Sequence, residues 1–226
     1  MIQDSVGFDN TILMFLKFGS EHDILDLYNN GTIFINPVQR FRLIEDNGLR
    51  GDKYEGVDKI TNYLPGQFEI PSLGFKGNHL GIHLKESYEN VYGNIYSLYC
   101  ISSHGWADPS EFSIDAKIKD FGTHCLLIKD VARFIELLTK ELKRIGCEYK
   151  HGFVEYYDKK LKNGSVSIFE KPLEFEYQKE FRFYVQRESL DPLVISIGTM
   201  EDYSEIHSSI AVVEGLKIKK TATNTS

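Results

Sequence analysis

The sequence is short of several things whose absence narrows what it can do. Its three cysteines, Cys100, Cys125 and Cys147, are scattered over 226 residues. No CxxC or paired Cys/His spacing joins them, so neither a zinc site nor a disulfide framework is written here. Cys100 and Cys125 lie in apolar runs, where a buried, inert thiol is the ordinary outcome. No apolar stretch approaches the roughly 20 residues that a membrane-spanning helix needs, and no leader-like segment opens the chain. These absences point to a soluble cytoplasmic protein with reduced thiols and no membrane partner. A P-loop, a GxGxxG turn, an HExxH pair and a nucleophile elbow are all missing. Positive charge is scarce too: 26 Lys and Arg stand against 33 Asp and Glu, a net of −7. That excludes a general nucleic-acid coat, which must replace phosphate counterions with dense cations, but not a small basic cleft on an acidic body.

Apolar residues make up 42% of the chain, enough for a substantial core. No Pro/Ser-rich linker, low-complexity run or internal repeat divides it, so 1–226 reads as a single domain. Ile12–Phe18 reads as a buried strand that ends at Gly19. Ser20 then caps a short helix, with Glu21 and Asp23 at its positive end and Asn30-Gly31 closing it. Thr32–Ile35 follows as a strand. Residues 38–78, rich in charge and turn signals, read as a short helix and a long, partly ordered excursion. From residue 79 the pattern is that of strands, over 79–84, 94–102, 123–129, 148–157, 178–186, 193–198 and 209–218. One helix interrupts them at about 131–145, where Val131, Phe134, Ile135, Leu138 and Leu142 recur at helical spacing behind Asp130. Residues 219–226 read as a flexible tail. The class is α+β, with mostly antiparallel strands in a sheet or split sandwich.

Without a standard motif, chemistry must come from residues scattered along the chain. Strand alternation over Glu174–Val185 puts Gln178, Glu180 and Arg182 on one face and Lys179, Phe181 and Phe183 on the other. The aromatic face suits a core, which leaves the first face to a cleft or, on an edge strand, to solvent. Lys17, within the Phe15–Phe18 run, either snorkels to the surface or points into the same cleft. Ser97–Ser103 is a strand ending in the hydroxyls of Ser102 and Ser103, followed by His104 and Trp106. His79 and His83 lack a third ligand, so no metal site is expected. Arg40, Arg42, Arg50 and Lys53 read as a solvated face that could meet phosphate. Asp52, Glu55 and Asp58 would suit a nuclease metal, but ordinary solvation is the simpler reading.

The order of these pieces resembles the ADP-ribosyltransferase superfamily: a basic residue on the first strand, a hydroxyl pair on a middle strand and Gln-x-Glu on a late strand. It also resembles a large bacterial family met near phage-defence genes, through Lys17-Phe18, Cys100-Ile101-Ser102 with Trp106, and Tyr177–Arg182. Lys17 stands where the superfamily has Arg or His. The resemblance implies NAD as the substrate and an acceptor that is nucleic acid or protein. It further implies a toxin or phage-defence effector, with a neutralising antitoxin protein as a possible partner. Glu180 would stabilise the positive ribose that forms as nicotinamide departs, and Gln178 would orient the acceptor. Lys17 would contact ribose or diphosphate, Ser102 and Ser103 would position the base-side strand, and Phe34 or Tyr54 would stack on nicotinamide. On this reading Glu180→Gln abolishes activity and leaves the fold intact. The alternative is a non-enzymatic binding or regulatory module with a degenerate cleft of the same kind.

Overall fold

The computed structural model describes residues 12–44, 49, 51–102 and 112–217. Among these the chain order begins β1 (Ile12–Gly19), α1 (Glu21–Asn30), β2 (Thr32–Pro37), α2 (Val38–Leu43), β3 (Lys59–Tyr63), β4 (Gly66–Ile70), β5 (Phe75–His79) and β6 (Ile82–Glu86). It continues with β7 (Asn94–Ser102), β8 (His124–Ile128), α3 (Val131–Arg144), β9 (Tyr149–Phe153), β10 (Glu155–Tyr157), β11 (Gly164–Ser165) and β12 (Glu170–Pro172). The last elements are β13 (Glu180–Val185), β14 (Leu193–Ser196), β15 (Ser204–Ser208) and α4 (Ser209–Gly215). The strands pair almost wholly antiparallel, so the α+β class holds. No helix among the described residues is long and apolar enough to cross a membrane.

The main sheet is forked, and β7 is its trunk. Along one edge β7 pairs with β13 from Glu180↔Tyr99 to Val185↔Asn94, and β13 in turn pairs with β9. The other edge is shared. Its C-terminal half pairs with β1, ending at Leu16↔Tyr99, and its first two residues pair with β2 at Asn36↔Ile95 and Pro37↔Asn94. Residues 96–98 are left between the two branches. Past the fork β1 runs on with β8 and β15, while β2 runs on with β14.

Alternation decides which side of the trunk is apolar. Phe181 and Phe183 of β13 join Phe15 of β1 and Phe134 of α3 in the larger core, with Phe15 and Phe181 ring centroids 5.0 Å apart and Phe15 and Phe134 6.0 Å apart. Helix α3 presents Phe134, Leu138 and Leu142, one per turn, to that core, and Asp130 caps it through a 2.9 Å bond from the Arg133 N–H. Helix α1 behaves as its sequence implies. Ser20 accepts the Asp23 N–H at 3.2 Å, and Gly31 closes the helix at φ 61°, so close to Gly198 that a Cβ would meet its carbonyl oxygen.

Four segments differ from the pattern-based expectation. Residues 79–84 are not one strand, because Leu80-Gly81 separates β5 from β6, with Gly81 at φ 132°. Residues 148–157 form two strands, β9 and β10, that take different partners. Within 178–186 the strand starts only at Glu180: Gln178 ends a 3-10 turn over Leu173–Gln178, and Lys179 turns the chain at φ 39°. Residues 209–215 are helical, since Ser208 accepts the Ala211 N–H and Val212 packs into the smaller core. There a cap and tertiary packing override a β-branched run. The described residues of the 38–78 segment carry α2 and the first strands of a hairpin. The tail from 219 onward lies outside the described residues.

Candidate functional site

A cleft of about 680 Å³ opens at the fork, where β1 and β7 part. Lys17 and Phe18 line it from β1, Phe34 and Asn36 from β2, and Tyr96 to Tyr99 from β7; Gln178, Glu180 and Arg182 close one end. The splitting of the ladder leaves the Ser97 carbonyl without a β1 partner, and the Lys17 ammonium takes that place at 2.8 Å, 4.2 Å from the Tyr96 ring centroid. Ser97 lines the same stretch of cleft as the Glu180 carboxylate and helps to lower its pKa, after Lys171 and Arg182. Lys17, Ser97 and Glu180 therefore line one cleft, from the first strand to the late carboxylate.

Glu180 and Arg182 sit on the face of β13 opposite Phe181 and Phe183, as alternation requires. The face is not wet and the strand is not at an edge: Arg182 is fully buried and Glu180 is 8% exposed. Lys171, also buried, donates at 2.7 Å to Gln178 Oε1 and at 2.7 Å to Glu180 Oε1. Arg182 donates to Glu55 at 2.7 and 3.1 Å, to Glu180 Oε2 at 3.0 Å and to the Ile168 carbonyl. Two carboxylates and two cations thus close on themselves with no net charge. Burial alone would raise the Glu180 carboxyl, but Lys171 and Arg182 outweigh it and hold the group far below the usual carboxylate range. Burial would also lower the Arg182 guanidinium, and Glu55 and Glu180 reverse that. Glu180 is therefore a permanently ionised group whose oxygens are already engaged. Its charge belongs to the fold as well as to the cleft, which overturns the expectation that Glu180→Gln leaves folding untouched.

Gln178 reaches this cluster from the 3-10 turn. Its Nε2 donates to the Leu49 carbonyl at 2.8 Å, which the Tyr177 hydroxyl also contacts at 2.8 Å. These bonds strap the segment around Leu49–Glu55 onto the sheet. Asp52 lies in that strap, 2% exposed, with one oxygen taken by the Tyr54 N–H at 2.7 Å and the other, Oδ2, without a partner among the described residues. Burial first, then the neighbouring Glu55, pushes its carboxyl up to about 6. So Asp52 and Glu55 are buried, not solvated, and among the described residues no acidic or His/Cys cluster has the makings of a metal site.

The remaining expectations divide. Lys17, Phe34, Gln178 and Glu180 meet at one cleft. Ser102 is buried opposite Ile12 at the far end of β7, away from the cleft lining, and Ser97 provides the hydroxyl instead. Ser103 lies outside the described residues, as do Arg50, His104 and Trp106. Tyr54 is not in the lining; its hydroxyl meets His83 Nε2 at 2.9 Å, and Lys85 and Lys159 stand 4.9 and 5.0 Å from its ring centroid. Arg40 lines the cleft mouth, bonded to Asn36 at 3.1 Å, whereas Arg42 is spent on the Glu55 and Gly56 carbonyls. The Cys100 and Cys125 thiols are buried and pushed up to about 12, as inert groups should be. Sequence reasoning missed Lys171, whose neighbours in the chain give no sign that it will be buried.

No protein-family model matches the chain, nor does any curated protein or solved structure.

Proposed function

We propose that this chain is an NAD-dependent ADP-ribosyltransferase-like enzyme that modifies nucleic acid or protein. The observation that carries the reading is that the basic residue of the first strand, Lys17, and the late carboxylate, Glu180, line one cleft. In this reading the bond from ribose C1′ to the nicotinamide nitrogen breaks and nicotinamide keeps the electron pair. The fixed charge of Glu180 faces the positive ribose, the acceptor bonds to C1′, and the acceptor's proton is released. An electrostatic stabiliser of this kind is worth about 2.7–4 kcal/mol of barrier. Lys17, with Arg40 at the mouth, faces the diphosphate, and Phe34, 47% exposed on the wall, offers a stacking surface. A cytoplasmic setting, a macromolecular acceptor and a neutralising antitoxin protein belong to the same reading.

One observation favours a second reading, a binding or regulatory module without turnover. Both Glu180 oxygens are held by cations, so little of its charge is left for a ligand. The two readings separate on NAD labelled in its adenosine half, incubated with the chain and cell extract. Transfer of label to a precipitable product, removed by nuclease or by protease, supports the enzyme and names the acceptor. Glu180→Asp, which keeps the charge but moves it, should cut transfer at least a hundredfold while NAD still binds. Binding by calorimetry without transfer supports the module. A chain that neither binds nor consumes NAD at millimolar concentration rejects both.

A further inference from the structure

Outside the cleft lining, Tyr54, His83 and Asn62 come from three segments and join in one chain of hydrogen bonds. Asn62 of β3 and His83 of β6 are cross-strand partners, so their side chains share a face of that ladder. The Asn62 amide has one possible orientation. Its nitrogen donates to the Lys159 carbonyl at 2.8 Å and to the Lys162 carbonyl at 2.7 Å, and carbonyls only accept. Its oxygen therefore faces His83 Nδ1, 2.7 Å away, and in the neutral ring Nδ1 must carry the proton. That leaves a bare lone pair on Nε2, 2.9 Å from the Tyr54 hydroxyl, which must then be the donor. The Asn62 backbone is held as well, its N–H donating to Asn163 Oδ1 at 2.6 Å.

We infer that Tyr54 is a second reactive site, a nucleophile that takes a phosphoryl group from a phosphate ester, with His83 as its base and Asn62 orienting that base. A hydroxyl bonded to a base, itself bonded to an orienting group, is the arrangement that activates a nucleophile. Charge selects the electrophile. The Lys85 and Lys159 ammonium groups stand 4.9 and 5.0 Å from the Tyr54 ring centroid. Lys159 is paired with Glu174. Lys85 has no carboxylate partner among the described residues and donates to the Lys53 carbonyl at 3.0 Å. A lysine so placed meets a phosphate as a point charge and favours an anionic electrophile over a neutral acyl ester. In the step, Tyr54 Oη bonds to phosphorus, the bond from phosphorus to the leaving oxygen breaks, and the leaving group keeps the electron pair. The phenolic proton passes to His83 Nε2.

The test uses the full chain and bis(para-nitrophenyl) phosphate; it needs no NAD, so it stands apart from the proposed activity. The wild type should release para-nitrophenolate in a single burst, and peptide mass mapping should place the para-nitrophenyl phosphate group on Tyr54 alone among the 13 tyrosines. Tyr54→Phe should abolish the label. His83→Gln keeps a polar group without a base and should slow labelling roughly a hundredfold. Lys85→Gln should slow the reaction with this phosphate several-fold and leave that with para-nitrophenyl acetate unchanged. Tyr54 is half-buried and His83 and Lys85 are exposed, so the circular-dichroism spectrum should not change in any of the three. A wild type that stays unlabelled at Tyr54, or a His83→Gln chain labelled as fast as wild type, overturns the inference. Equal slowing of both esters by Lys85→Gln overturns the choice of phosphate.

Discussion

Replacing Glu180 by Gln is the perturbation that most directly probes the buried cluster. The substitution keeps the shape and removes one negative charge from a group of two carboxylates and two cations. Lys171 then retains Gln178 at 2.7 Å and Glu55 at 3.9 Å, and among the described residues Arg182 retains Glu55 alone as an ionic partner. Breaking one side of a buried pair costs about 3–5 kcal/mol, because the charge left behind is neither solvated nor matched. For a chain of this length each kcal/mol moves the melting temperature by about 2–4 °C, so Glu180→Gln should melt roughly 6–20 °C lower. The companion Lys171→Met removes the stranded cation. In the double variant part of the loss should return, giving a coupling energy of about 1–3 kcal/mol in a double-mutant cycle. Denaturant unfolding at constant m-value reads all four corners. A Glu180→Gln chain within about 1 kcal/mol of wild type would show that the charge is not buried as described, and the cluster argument would fall with it.

Two further outcomes follow from neighbouring features. Asp52 binds its proton more tightly in the fold, at about 6 against 3.8, so stability should drop as pH rises through about 4 to 6. The full cost, about 3 kcal/mol, is then present above that window. Asp52→Asn keeps the acceptor for the Tyr54 N–H and should erase this slope in a pH series of urea melts; a slope that survives the substitution assigns it elsewhere. Gly31→Ala would force a left-handed residue and place a Cβ 2.1 Å from the Gly198 oxygen, so it should cost about 2 kcal/mol or more. Gly74→Ala, at φ 60° with nothing within 4 Å, should cost only the conformational part, about 1 kcal/mol; equal losses would refute the clash.

The sequence was informative wherever one period dominated. The alternation of Phe181 and Phe183 against Glu180 and Arg182, the α1 and α3 caps and the run through β1 all translate directly into structure, because each is decided by neighbours close in the chain. What alternation could not show is what covers the polar face. Asp52 and Glu55 read as solvated because their sequence surroundings are polar, yet Arg182, 127 residues from Glu55, draws them inside. Gln178 and Glu180 do share a partner, but through the left-handed Lys179 and not through a strand. Ser102 drew attention as the end of its strand, whereas the fork selects Ser97, and where a ladder splits depends on two pairing partners at once. Ser208 is a legible cap, outweighed in pattern reading by the β-branched residues after it.

The fork also dictates when the cleft can come into being. Its trunk and the first strand of each branch have been made once residue 102 is in place, and with them Lys17 and Ser97, 80 residues apart. The carboxylate end cannot exist then, because Lys171, Glu180 and Arg182 come from strands made much later. A nascent chain released early keeps the first two strands and the trunk but lacks the buried ion cluster that closes the cleft. Whatever the finished cleft does, an unfinished copy cannot do it.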